Sequence, residues 1–256
     1  MIMKLLSRLV LLLLLISLSV SVSLQSVAEE KAQNTNAENV EAFQKMLDFV
    51  GVTKKLSVTV ESNYDALQNS GQLFEFGAVS TWSIRRPDKV RVAINFRDGN
   101  ERNFYFDGNT ITLYDKDENV YAMVEKKGNI DQAFDYFIDQ LGMPLPLAEL
   151  FSEDHPFNLK QDIKSSTYLG DSTISDVLCN EYAYRSDEID LQLWIEQEKN
   201  PLPKRFVITY VHSDGRPQYR AQFRDWNLSA EVPDSLFKFT PPKDAEKIRF
   251  SKEIVR

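Results

Sequence analysis

Apolar and polar residues alternate along most of this chain, and the alternation gives way in two places to a helical period. Between Gln72 and Val124 five short runs alternate, and the strings Asp98-Gly99-Asn100 and Asp107-Gly108-Asn109 between them are tight-turn sequences. Arg86-Pro87-Asp88 interrupts the pattern once, and a looser turn over Asp115–Asn119 leads into the fifth run, Val120–Val124. A period of two places Phe74, Phe76, Ala78, Trp82, Ile84, Val92, Ile94, Phe96, Phe104, Phe106, Ile111 and Leu113 on one face. The prediction is an antiparallel meander with a broad aromatic floor. Leu56, Val58 and Val60 alternate with Ser57, Thr59 and Glu61 to give a strand before it, turned by Asn69-Ser70-Gly71. Alternation resumes near Thr167 and continues through Cys179–Tyr184, Ile189–Ile195, Lys204–Tyr210 and Gln218–Leu228, with Leu236–Thr240 as a last short strand.

The helical segments lie at the head of the first meander and between the two. Val40, Phe43, Leu47 and Val50 share one stripe, and Gly51 is placed to end that helix. Asn129 has the chemistry of an N-cap with Gln132 three residues on, and Ile130, Ala133, Phe134, Phe137, Ile138 and Leu141 form the next stripe before Gly142. Leu147–Phe151 is a candidate second short helix. About ten antiparallel strands twisted in one direction tend to curl, and the helices supply a cover for the concave side. The expected fold is therefore α+β, a strongly curved, unclosed half-barrel with helices over its concave face. Two outcomes stay open, because the aromatic floor either lines a cavity or packs as a solid core against those helices.

The first 28 residues change the setting. Lys4 and Arg8 precede an apolar run from Leu9 to about Leu24, and Ser26-Val27-Ala28 offers the small residues that a signal peptidase accepts. Cleavage after Ala28 leaves 228 of the 256 residues, divided into a polar, flexible lead-in over 29–39 and a single domain over 40–256. Lys4 and Arg8 leave with the leader, so the net charge moves from −8 to −10. That balance excludes a phosphate-binding surface for nucleic acid and disfavours anionic headgroups. Cys179 is the only cysteine, so no internal disulfide forms and no lipid is attached near the cleavage site. The mature chain is expected to be exported, soluble and not membrane-spanning.

Catalytic chemistry has little to stand on. The two histidines, His155 and His212, are far apart, and His212-Ser213-Asp214 holds triad residue types in a turn too tight to arrange them as nucleophile, base and orienter. Cys179 lies in an alternating strand as a small core residue. Asp115-Lys116-Asp117-Glu118-Asn119 starts like a calcium loop, but Val120 stands where glycine is needed and Lys126 where glutamate is needed. Asp187 and Glu188 fit a solvated hairpin. No catalytic residue, metal site or cofactor is assigned, and an enzyme is not expected.

Three strings carry a resemblance. Trp82-Ser83-Ile84-Arg85-Arg86-Pro87, then Phe106–Tyr114, and finally Leu236–Pro242 resemble, in the same order, strings of the LolA/LolB-like lipoprotein carriers of the periplasm. Whole-chain spacing is more similar to a group of predicted periplasmic proteins, the DUF2092 family, in which the strings at Trp194–Glu196 and Pro201–Lys204 also occur. The carrier resemblance implies a periplasmic, non-enzymatic binding protein whose half-barrel takes up a lipid, an acyl chain or another hydrophobic ligand. Its floor would be Phe74, Phe76, Trp82, Ile94, Phe96, Phe104, Phe106 and Leu113, and its lid would carry Phe134, Phe137 and Leu141. The resemblance also implies a latch at Arg86, because the matching arginine hydrogen-bonds lid backbone in the closed state. The chain is longer than the carriers over Lys126–Asp171 and the second meander, which puts lipoprotein itself in doubt as cargo. The alternative is an envelope interaction module with a solid core, whose partner is another envelope protein.

Overall fold

Both meanders form, and they share one sheet. The computed structural model describes residues 36–154 and 159–250; the leader over 1–28 with its cleavage site, residues 29–35 of the lead-in, and His155 lie outside the described residues. Strand β1 (Lys55–Leu67) pairs with β2 (Leu73–Arg85) in unbroken register over all 13 residues of each. Next come β3 (Lys89–Phe96), β4 (Glu101–Phe106), β5 (Thr110–Asp115) and β6 (Val120–Glu125). Gly99 and Gly108 in the turns take φ of +95° and +86°, a region open to glycine at little cost. The second meander is β7 (Ser165–Ile174), β8 (Val177–Arg185), β9 (Ile189–Glu196), β10 (Pro203–Tyr210) and β11 (Gln218–Asn227).

The two halves meet where β11 pairs with β1, setting Phe223 opposite Val60, Ala221 opposite Ser62 and Tyr219 opposite Tyr64. With a last strand β12 (Glu246–Ile248), the sheet order is β12-β6-β5-β4-β3-β2-β1-β11-β10-β9-β8-β7, so the half-barrel is unclosed, with β7 at one margin. Twelve strands replace the expected ten or so. Part of the difference is β12 (Glu246–Ile248), which lies parallel to β6 and covers its edge. The expected strand at Leu236–Thr240 is absent. Residues Asp234–Phe237 instead make one helical turn, α5, which drives Phe237 into a small core with Ala230 and Val232. Arg85 holds that turn by donating to Val232 O at 2.9 Å, pairing with Asp234 and lying over the Phe237 ring.

Helix α1 covers residues 36–52. It reaches into the expected lead-in, where Asn39 is buried: its amide donates to Ser166 Oγ at 3.1 Å, and its carbonyl accepts from the Tyr184 hydroxyl at 2.9 Å. Gly51 does not stop the helix. It is buried within it, and the end comes where the Thr53 hydroxyl donates to Phe49 O at 2.6 Å. Helix α2 (Ile130–Asp135) carries the full capping box of Asn129 and Gln132, then widens into a π-helical turn over Tyr136–Gln140. Gly142, at φ +66°, follows. Two further turns, α3 (Ala148–Phe151) and α4 (Leu159–Asp162), complete the cover. Among the described residues no helix is long and apolar enough to cross a membrane.

The face away from the helices is charged where the halves join. Arg224, Glu61, Arg97, Glu75, Arg220 and Asp65 form a chain of ion pairs across β11, β1, β2 and the end of β3. Asp65 has the best geometry, accepting from two Arg220 nitrogens at 3.0 Å and from the Gln218 N–H at 3.0 Å. These bonds, that from Arg220 foremost, hold its carboxyl below the ordinary carboxylate range against the opposing effect of burial. Such a group stabilises the fold fully above its unfolded-state pKa of about 3.9, and the contribution is lost as pH falls through the lower folded value. Asp65→Asn is expected to lower the urea midpoint at pH 7 and to flatten the fall in stability below about pH 4. Parallel acid limbs for the two proteins would contradict this.

Candidate functional site

The register puts every expected floor residue on the helix-covered face. Trp82 stands between Val58 of β1 and Val92 of β3, and Phe104 between Val92 and Leu113. Phe106 stands between Val90 and Ile111, Ile94 beside Ser80, Phe96 beside Ala78, Phe76 beside Tyr64 and Phe74 beside Ala66. The cover divides this face into two zones.

In the covered zone, Trp82 is 1% exposed and Phe104 and Phe106 are 0% exposed. Phe151 of α3 stacks on Trp82 at 4.6 Å between centroids, Phe134 meets Trp82 edge-on at 6.3 Å, and Phe137 meets Phe104 edge-on at 4.9 Å. Leu113 and Leu141 join the same cluster. Here the floor is filled by the rings of its own cover. In the open zone, beyond the helices, Phe74 is 48% exposed and Phe76 44%. Tyr64, equally exposed, stacks on Phe76 at 5.6 Å, while Ile94 and Phe96 are half-buried between the zones. One continuous apolar face is thus longer than its cover.

The polar groups on this face are used locally. Trp82 Nε1 donates to Ser80 Oγ at 3.1 Å, and Arg102 pairs with Asp115 at 2.9 Å while lying against Phe96. Burial pushes the Tyr219 hydroxyl up to about 12, and burial raises the carboxyl of Glu149 on α3 above its ordinary value.

The covers converge on one corner, between β2 and β3. The Arg86 backbone N–H donates to Lys54 O at 2.8 Å just after α1, and Pro87 O accepts from the Ile130 N–H of α2 at 2.9 Å. The Arg86 side chain does the rest. Its Nη2 donates to Phe151 O at 2.6 Å and to Val50 O at 3.4 Å, so one guanidinium joins the ends of α3 and α1. Burial pulls its pKa below the ordinary value, while the charges of Asp131 and Glu153 act the other way. Asp131 also ties α2 to the residues after α3, accepting from the backbone N–H groups of Glu153 and Asp154 at 3.0–3.2 Å.

Other sequence candidates fall into structural roles. His212 Nε2 lies 2.8 Å from Asp187 O in an exposed turn. Cys179 is buried, its Sγ donates to Val177 O, and burial raises its pKa. Asp115 accepts from Arg102 and from the Glu118 N–H, which accounts for the acidic string as a turn. Two contributors were not legible in sequence: Phe151, which sits in a turn too short to show a period, and Tyr64, which is paired with Phe76 only through the β1–β2 register.

No curated protein matches the chain. Among solved structures, the lipoprotein LppX of Mycobacterium tuberculosis is similar at 13% identity over 77% of this chain and 100% of its own, with a TM-score of 0.48. An uncharacterised conserved protein of Thermus thermophilus is similar at 13% identity over 80% of this chain and 98% of its own, with a TM-score of 0.46. A LolA superfamily protein of Nitrosomonas europaea has 12% identity over 78% of this chain and 97% of its own, with a TM-score of 0.36. A family model described as "Predicted periplasmic protein (DUF2092)" matches residues 39–251, well over half of the sequence, and the chain therefore belongs to the DUF2092 family.

Proposed function

We propose that this chain is a periplasmic, non-enzymatic binding protein or carrier for a lipid, an acyl chain or another hydrophobic ligand, exported by cleavage after Ala28. The observation that carries the reading is the mismatch between the apolar face and its cover. Tyr64, Phe74 and Phe76 stand exposed in line with the fully buried Trp82, on the same strands and the same face. An alkyl chain laid over the open zone would cover these rings. If α2 and α3 swung aside it would continue over Trp82 and Phe104, replacing Phe151, Phe134 and Phe137.

The energetics suit such an exchange. Each CH₂ removed from water contributes about 0.8 kcal/mol, so ten such groups gain on the order of 8 kcal/mol before association costs. The cover gives up contacts of similar chemistry to those the ligand makes. Arg86 is then the latch: opening breaks its bonds to Phe151 O and Val50 O, and charge-assisted hydrogen bonds of this kind contribute roughly 1.5–3 kcal/mol. The second reading is an envelope interaction module with a solid core, and the complete burial of Trp82, Phe104 and Phe106 favours it.

Two measurements separate the readings. Native mass spectrometry of the purified chain should find bound lipid, or N-phenyl-1-naphthylamine should fluoresce in the folded protein and be displaced by a fatty acid. Phe76→Glu, at an exposed position, should leave the melting temperature nearly unchanged and weaken dye binding by about tenfold or more. Bare protein that takes up no dye would leave the solid-core module. Arg86→Lys retains the charge but not the planar fork, and should speed dye uptake and raise amide exchange over residues 148–152. Unchanged exchange and uptake would remove Arg86 from the latch role.

A further inference from the structure

A second pocket lies on the other side of the sheet. After β11 the chain folds back over the outer face of β3–β5, anchored by Phe237 under Arg85 and by Phe239, whose ring lies 5.1–5.5 Å from those of Tyr121, Tyr114 and Tyr105. Between this segment and the strands is an open pocket of about 490 Å³, within the range of small-molecule sites. Arg91, Asn103 and Tyr105 form its base, and Leu236, Lys238 and Phe239 its outer wall.

Charge sets this pocket apart. Arg85, Arg97, Arg102, Arg185, Arg220 and Arg224 each pair with a carboxylate. Arg91, like Arg86 and Arg205, has no ion pair among the described residues. Its guanidinium lies against the Tyr105 ring at 5.4 Å, its Nη2 donates to Asn103 Oδ1 at 3.3 Å, and its Nε is buried with no hydrogen-bond partner. Lys238, the other cation of the pocket, is exposed and makes no ion pair among the described residues, although its charge acts on the nearby Asp234 carboxyl. None of the lining residues is acidic, in a chain with a net charge of −8.

We propose that this pocket binds a small organic anion with a flat apolar body, in its simplest form an aromatic carboxylate. The carboxylate meets the Arg91 fork, whose planar donors match it, and Lys238 adds the second positive charge. The ring lies among Tyr105, Phe239 and Leu236, where aromatic contact and apolar burial hold it. The site is separate from the aromatic floor, since Arg91 and Tyr105 belong to the opposite set of alternating positions from Val92 and Phe104.

The test is calorimetric titration of the full chain with 2-naphthoate, and with neutral 2-naphthamide as the control. Naphthoate should bind, with affinity falling about tenfold or more in Arg91→Gln and less steeply in Lys238→Gln. The amide should bind at least about tenfold more weakly, and a saturating fatty alcohol, which lacks the carboxylate, should leave naphthoate affinity unchanged. Lys238→Gln changes an exposed side chain, so it reads the charge contribution even if Arg91→Gln unfolds. The proposal is overturned by absence of naphthoate binding up to millimolar concentration, by equal affinity in Lys238→Gln, by equal binding of acid and amide, or by displacement with the uncharged fatty alcohol.

Discussion

The Arg86-Pro87 corner is the constraint on which the arrangement of the covers depends. Three helical segments separated widely in sequence are fixed by groups of two adjacent residues, two through backbone bonds and one through the Arg86 guanidinium. Phe151 O and Val50 O lie at or near helix C-terminal ends, where carbonyls lack intrahelical donors and carry partial negative charge. The half-buried Arg86 cation meets them through Nη2, while its Nε has no hydrogen-bond partner. The corner also fixes how far along the sheet the covers reach, and so where the aromatic face passes from buried to exposed.

That face is a single object with two environments. Strand pairing makes it continuous from Ile84 to Phe74, because 13 unbroken pairs leave no bulge at which side chains could change sides. The helices cover one end and leave Phe74, Phe76 and Tyr64 to solvent. Exposed aromatic groups in a continuous row are uncommon on a surface without a binding role. On the reverse face, by contrast, the same strands carry ion pairs that belong to the fold itself. One face of the hairpin thus carries the core and its exposed continuation, and the other the ion pairs.

Much of this was legible in the sequence. The period of two put all eight floor residues on one side, and Asn129 with Gln132 announced the start of α2 through chemistry local to one turn. The extent of the cover was not legible, because Phe74 and Trp82 have the same periodicity and differ only in where α2 and α3 dock. Residues 36–39 read as a polar lead-in by composition, yet Asn39 is buried, satisfied by Ser166 and Tyr184 from strands more than a hundred residues away. Phe237 and Phe239 read as alternate positions of a strand. They are anchors of two different kinds, one in a helical turn and one in a ring of tyrosines, and only the outer face of the sheet supplies that distinction.

The seam between β1 and β11 has a kinetic meaning. Asp65 and Gln218 are bonded across 153 residues of chain, and a contact of that separation is slow to form because the loop must close before the pairing rewards it. The strand that completes the sheet next to the apolar hairpin is joined to it only through that long loop. Until it pairs, Val58 and Val60 of β1 lack one side of their final surroundings. An unpaired β1 edge is a template for any other strand, so closing the seam from within also keeps the chain from pairing with copies of itself.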